Sequence, residues 1–139
     1  MKRFVLDASV SLALFLDDPV PDLAMRVQRS FDKEWKAVVP SLWRLEVANG
    51  FASAERRRAL TAELVDRCLE DIEDLMASVI EESASTVSLR QAVTVARSYR
   101  LTAYDAAYLE TARIEHLPLA TLDRALAQAA ARAGVELFH

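Results

Sequence analysis

RFVLDASVSLALFL, residues 3–16, is the stretch on which the fold turns. Arg3 to Leu6 have the character of a short buried strand, and Val10 to Leu16 run on as the apolar start of a buried helix. Asp7 falls at the junction. In open parallel sheets that junction is where ligands bind, at the carboxyl ends of the strands and near the point where strand order reverses.

Downstream, the same alternation repeats. Pro19 and Pro21 break the first helix, and Leu23, Val27 and Phe31, spaced four apart, predict a second helix with Arg26, Arg29 and Lys33 elsewhere on its surface. Ala37 to Val39 predict a strand. Ser41, after Pro40, is the expected N-cap of a helix from Leu42 to about Arg57, on which Glu46 lies. Thr61 caps a predicted helix through Leu64, Val65, Cys68, Leu69, Ile72, Leu75 and Met76. Val79 and Ile80 form a short candidate strand. Val87 to Tyr99 predict another helix, and Thr102 caps the next, which carries Tyr104, Asp105 and Tyr108. Leu117 to Thr121 predict a strand, Asp123 precedes an alanine-rich helix stopped by Gly134, and Val135 to Phe138 are expected as a final strand. The expected fold class is α/β, a three-layer α/β/α domain over residues 1–139 with a parallel sheet of four to five strands and right-handed crossovers.

Composition agrees with a packed domain. The chain has 139 residues, 53% hydrophobic and 27% charged, with two glycines and four prolines, which excludes a disordered chain. Cys68 is the single cysteine, which rules out an internal disulfide or cysteine-based zinc site and fits a reducing cytoplasm; its expected role is small core filler. Asp7 interrupts the N-terminal apolar run before a signal-peptide core forms, and no run reaches the roughly 20 apolar residues of a membrane span. A cytoplasmic protein is expected. The net charge of −4 argues against a protein that coats nucleic acid, although cations bound at an acidic site reverse the local sign.

Each prominent acid has an innocent alternative. Asp7 and Asp123 could cap helices, and Asp105 could be the favoured acid three residues after the Thr102 cap. Glu46 resists such a reading, because PSLWRLEVANGF (residues 40–51) is mostly apolar and a glutamate is seldom buried without a partner. Glu63, Glu70, Asp71, Glu73, Asp74, Glu81 and Glu82 are expected on solvated helix faces or ends.

Four segments together, VLDASV around Asp7, PSLWRLEVANGF around Glu46, LTAYDAAYLETA around Asp105 and LPLATLDRAL around Asp123, resemble the PIN-domain ribonucleases, and within them the VapC-type toxins of toxin–antitoxin pairs. The segments follow the family's order and span nearly the whole chain. The resemblance implies a Mg²⁺- or Mn²⁺-dependent endoribonuclease, a cognate antitoxin and a homodimer. It implies Asp7 and Asp105 as direct ligands, Glu46 as ligand or water-orienting base, and Asp123 as a ligand partly through water. Ser9 and Thr121 match polar positions that support the site, and Asn49 matches a helix position facing it. Arg100 departs from the pattern, where relatives often have glycine. Mg²⁺ prefers oxygen ligands and keeps several waters, and a metal-bound water attacks phosphodiesters at neutral pH, so a rim of carboxylates suits the chemistry.

The remaining conspicuous residues carry less. Arg56, Arg57 and Arg58 are expected as a solvated helix end rather than an RNA track. Trp43 and Phe51 are expected in the core, with an antitoxin groove as the alternative, and Tyr104 and Tyr108 as core residues with polar tips. His116 and His139 are expected at the surface. Two other functions stay open on the residues alone: a phosphatase with an aspartyl nucleophile, which prefers a second acid at the position of Ser9, and a non-catalytic module whose acids cap helices.

Overall fold

The computed structural model describes residues 2–139. Its elements are β1 (Arg3–Leu6), α1 (Ala8–Leu16), α2 (Asp22–Phe31), β2 (Lys36–Val39), α3 (Trp43–Arg56), α4 (Ala62–Ser78), β3 (Ile80–Glu82), α5 (Leu89–Tyr99), α6 (Ala103–Glu115), β4 (Leu119–Ala120) and α7 (Arg124–Arg132). The four strands form one sheet in the order β3-β2-β1-β4. All are parallel, with Val5 opposite Val38 on one side and Leu119 on the other, and Val38 opposite Glu81.

Chain order makes β1 the switch point. β2 and β3 are added successively on one side of β1, and β4 returns to the other. Right-handed crossovers in both directions then put α1 to α4 on one face and α5 and α6 on the opposite face, giving the expected three layers. The carboxyl ends of β1 and β4 lie side by side at the reversal. Asp7 follows one of them and Thr121 to Asp123 the other.

Strands covered on both faces must be apolar throughout, and Phe4, Val5, Leu6, Ala37, Val38, Val39, Leu119 and Ala120 are all buried. Phe4 anchors an aromatic cluster at the amino edge, 4.5 Å between ring centroids from Phe138 and 6.0 Å from Trp35. On the first face, Trp43 is buried and its indole N–H donates to the Ser11 hydroxyl at 3.0 Å. That bond ties α3 to α1. The two helices approach so closely at Gly50 that a Cβ there would stand 2.4 Å from a Leu12 methyl. The placement of α3, and therefore of Glu46, follows from these two contacts.

Capping follows local chemistry where the caps are threonine or serine. Thr61 accepts from Leu64 N–H, Thr102 from Asp105 N–H, and Ser88 forms a reciprocal capping box with Gln91. Gly134, at φ 75°, stands just past the end of α7 in the left-handed region that glycine adopts freely. Arg100 takes that region too, at φ 55° as the C-cap of α5. A glycine would suit this position; the arginine accommodates the same geometry.

Two expectations are corrected. Ser41 does not cap α3: the helix begins at Trp43 with Leu42 as its N-cap and no side-chain cap bond. The Pro40 carbonyl instead accepts from Trp43 N–H, so a tight turn supplies the partner that a serine would have provided. The expected strand at Val135 to Phe138 reduces to one isolated bridge, Leu137 to Leu119. β4 is only two residues long, too short to template a neighbour, and the sheet therefore stops at four strands.

Candidate functional site

Asp7 stands where β1 ends, and its carboxylate makes no cap bond to α1. The innocent role is therefore not taken. Ser9 Oγ donates to Asp7 Oδ2 at 2.6 Å, and Thr121 Oγ1 donates to the same oxygen at 2.7 Å. Each hydroxyl also accepts a backbone N–H, Leu122 on Ser9 and Asp123 on Thr121, both at 3.0 Å. The loop after β4 is thus laced onto the end of β1 through one carboxylate oxygen. Oδ1 takes no side-chain hydrogen bond among the described residues.

Asp123 does cap its helix, accepting from Leu126 N–H at 2.9 Å through Oδ1. Capping and a site role do not compete here, because a carboxylate has a second oxygen. Asp105 owes its place to the Thr102 cap, whose hydroxyl accepts from its backbone N–H at 3.1 Å and lies close enough to its carboxylate to ease the charge there. Glu46 arrives from α3 and accepts at Oε1 from the Tyr108 hydroxyl, 2.6 Å away.

The electrostatics join these acids into one group. Burial, more than any neighbour, raises the Asp7 carboxyl above its ordinary value, with the Asp123 charge adding and the Ser9 and Thr121 bonds opposing. Glu46 is raised by burial and by Asp7, against the Tyr108 bond. Asp105 is pushed up to about 6, first by burial and then by the charges of Asp123, Asp7 and Glu46. Asp105 feels the charges of all three other acids, so the four carboxylates lie near a common space. None of the three ion pairs among the described residues, Arg3–Glu81, Arg44–Glu82 and Arg113–Glu110, touches any of the four.

Among the described residues, no group of three or more acidic, histidine or cysteine side chains is set in ready coordination of a metal ion. The donor chemistry nonetheless fits a hydrated hard cation. Mg²⁺ binds proteins through one or two carboxylates and retains several waters, so a closed cage of protein ligands is not required. The Oδ1 of Asp7, which takes no side-chain hydrogen bond, the carboxylate of Asp105, and the lack of an ion-pair partner for any of the four acids among the described residues supply what such an ion needs.

A stability prediction follows from the raised carboxyl of Asp105. A group whose folded-state value is raised to about 6 contributes stability that is full below its unfolded value and lost as pH climbs through 6. Asp105→Asn removes that loss without making a cavity. After allowance for solvent screening, the variant is expected to exceed the wild type by on the order of 1 kcal/mol at pH 7.5 in EDTA, and by less at pH 5. Millimolar Mn²⁺ should raise the wild-type melting temperature more than the variant's. A variant that melts below wild type in EDTA, with equal responses to Mn²⁺, would mark Asp105 as a plain helix-end acid.

Of the three supporting residues expected, Ser9 and Thr121 are bonded into the group. Asn49 is not: it lies exposed on α3, one turn after Glu46, with no hydrogen bond to the acids among the described residues. Trp43 and Phe51 are each 1% exposed, so they are core and form no groove. Tyr104 corrects the expectation of a core tyrosine, since it is 65% exposed. Tyr108 is the expected core residue with a polar tip, and the partner of that tip is Glu46. Its position three residues after Asp105, on one face of a helix, was the signal that its hydroxyl could reach the acids.

A family model described as PIN domain matches residues 4–132. No curated protein sequence matches the chain. Among solved structures, PAE2754 from Pyrobaculum aerophilum is similar at a TM-score of 0.68 and 24% identity, over 92% of this chain and 79% of that one. FitAcB from Neisseria gonorrhoeae is similar at 0.67 and 21%, over 98% and 96%. A domain of a functionally unknown protein from Methanocaldococcus jannaschii is similar at 0.55 and 16%, over 99% and 90%. These structural likenesses concern the fold.

Proposed function

The chain belongs to the PIN domain family, and on that premise we propose that, as a single domain over residues 1–139, it is a metal-dependent endoribonuclease, the toxin of a VapC-type toxin–antitoxin pair. PIN domains are generally nucleases that use divalent metals. The observation that carries the reading is the gathering of acids at the switch point of the sheet, where the charges of Asp123, Asp7 and Glu46 all raise the Asp105 carboxyl and no ion pair among the described residues touches any of the four.

In this reading Mg²⁺ or Mn²⁺ supplies, when bound, charge neutralisation for the phosphodiester and a nucleophile competent at neutral pH. Asp7, with Oδ2 clamped by Ser9 and Thr121, offers Oδ1 as a fixed ligand, and Asp105 is the second direct ligand. Asp123 keeps Oδ1 on the helix cap and contributes its other oxygen, partly through water. Glu46, held at Oε1, orients the attacking water and takes its proton at Oε2. Asn49, exposed one turn away, is a contact for RNA rather than for the carboxylates. The aspartyl-nucleophile alternative loses ground, since the residue it needs as an acid is Ser9, whose hydroxyl is committed to Asp7.

The test is incubation of the purified protein with a mixed RNA pool in Mg²⁺, Mn²⁺ or EDTA, followed by mapping of cut sites. Cleavage that persists in excess EDTA overturns the assignment. The antitoxin is proposed as a small protein that lays an apolar helix on the enzyme, which is itself a homodimer in the cytoplasm; no described helix is long and apolar enough to cross a membrane. On α3 the apolar side chain available to a partner is Leu45, 76% exposed. Purification from the native cells should yield a small stoichiometric partner, and its absence counts against the toxin role.

A further inference from the structure

The hydrogen bond between Tyr108 and Glu46 joins two helices at the one acid that has no backbone device to place it. Asp7 is set by the end of β1, and Asp105 and Asp123 by the caps at the starts of α6 and α7. Glu46 lies within a helix and reaches the site only through its side chain. Such a side chain has three torsions, the last of them broad, so its carboxylate is not oriented by its own backbone.

Tyr108 supplies the missing constraint. Its ring is fully buried, which fixes the hydroxyl in space, and that hydroxyl donates to Glu46 Oε1 at 2.6 Å across 62 residues of sequence. Burial, followed by the Glu46 bond and charge, pushes the phenol well above its ordinary value. It stays a neutral donor throughout the pH range in which an enzyme of this kind would work. From this geometry we infer that Tyr108 is a positioning residue, which grips Glu46 by Oε1 and thereby turns Oε2 toward the space shared with Asp7 and Asp105. The consequence for catalysis rests on the ribonuclease reading; the consequence for ion binding does not.

Tyr108→Phe deletes one oxygen and keeps the packed ring. A tyrosine that only fills the core would then leave the site unchanged, whereas one that acts through Glu46 would not. Partners of this kind typically contribute 10–100-fold to metal affinity or activity. The variant is expected to keep native circular dichroism and a KM for RNA within about twofold, while kcat falls, or the Mn²⁺ Kd measured by calorimetry rises, by about 10-fold. In a Glu46→Ala background the same substitution should change the Mn²⁺ Kd by less than about twofold, because the group it acts through is gone. A loss in the wild-type background that disappears with Glu46 supports the inference. Undiminished kcat and Mn²⁺ affinity in Tyr108→Phe, or equal losses in both backgrounds, overturn it. The two readings fail separately: a wild-type protein inert toward RNA whose Mn²⁺ affinity still depends on Tyr108 through Glu46 sinks the ribonuclease and keeps the positioning role, and an active wild type indifferent to Tyr108→Phe does the reverse.

Discussion

Asp7→Asn is expected to lower metal-dependent RNA cleavage by roughly three orders of magnitude, the rate equivalent of about 4 kcal/mol, while the circular dichroism stays native. The size of the effect comes from how the carboxylate is held. Ser9 and Thr121 both donate to Oδ2, so in an asparagine the carbonyl oxygen takes that place and the amide NH₂ is turned to where Oδ1 was. An N–H donor then faces the position of a cation. Folding should not suffer, because the substitution removes a charge that burial already penalises and keeps both hydroxyl bonds. The measurement is cleavage of a mapped RNA site in Mn²⁺, set beside thermal melts of both proteins. Retention of cleavage within tenfold of wild type would remove Asp7 from the chemistry.

Arg113→Ala is expected to destabilise the protein by about 2–3 kcal/mol with little change in the site, since it strips a buried carboxylate of its partner. The Glu110 side chain is 3% exposed and accepts from Arg113 at both oxygens, while the Arg113 side chain is 57% exposed. The pair's own contribution is modest because one end is in water. Its removal is costly because the other end is not. Glu110→Met combined with Arg113→Leu should recover most of the loss, as no unpaired charge remains. Urea midpoints of the two variants decide the matter, and an Arg113→Ala midpoint equal to wild type would show that water reaches Glu110.

The contrast between Glu110 and Asp105, five residues apart on α6, marks the boundary of what local reasoning can reach. Asp105 was legible because its features are local: it follows the Thr102 cap by three residues, and the cap bond forms as expected. Glu110 sits in the same helix, but its burial is set by packing against other elements. Tyr104 and Tyr108 divide in the same way, the first 65% exposed and the second fully buried. They are four residues apart and alike in composition. Only the packing of α6 on β1 and α5 separates them.

The chain's own chemistry determined the alternation of strands and helices, because burial of β1 and β2 on both faces demands unbroken apolar runs and caps announce helix starts at Thr61, Thr102 and Asp123. It also determined Asp7 as a strand-end acid. Tertiary structure alone decided that Ser9 and Thr121, 112 positions apart in the sequence, donate to one oxygen of Asp7, that Tyr108 grips Glu46, and that Asn49 stays outside the hydrogen-bonded group. Periodicity and capping act over one or two turns of helix, so they are written in neighbouring residues. Bonds between the ends of different strands exist only after the crossovers have brought those ends together.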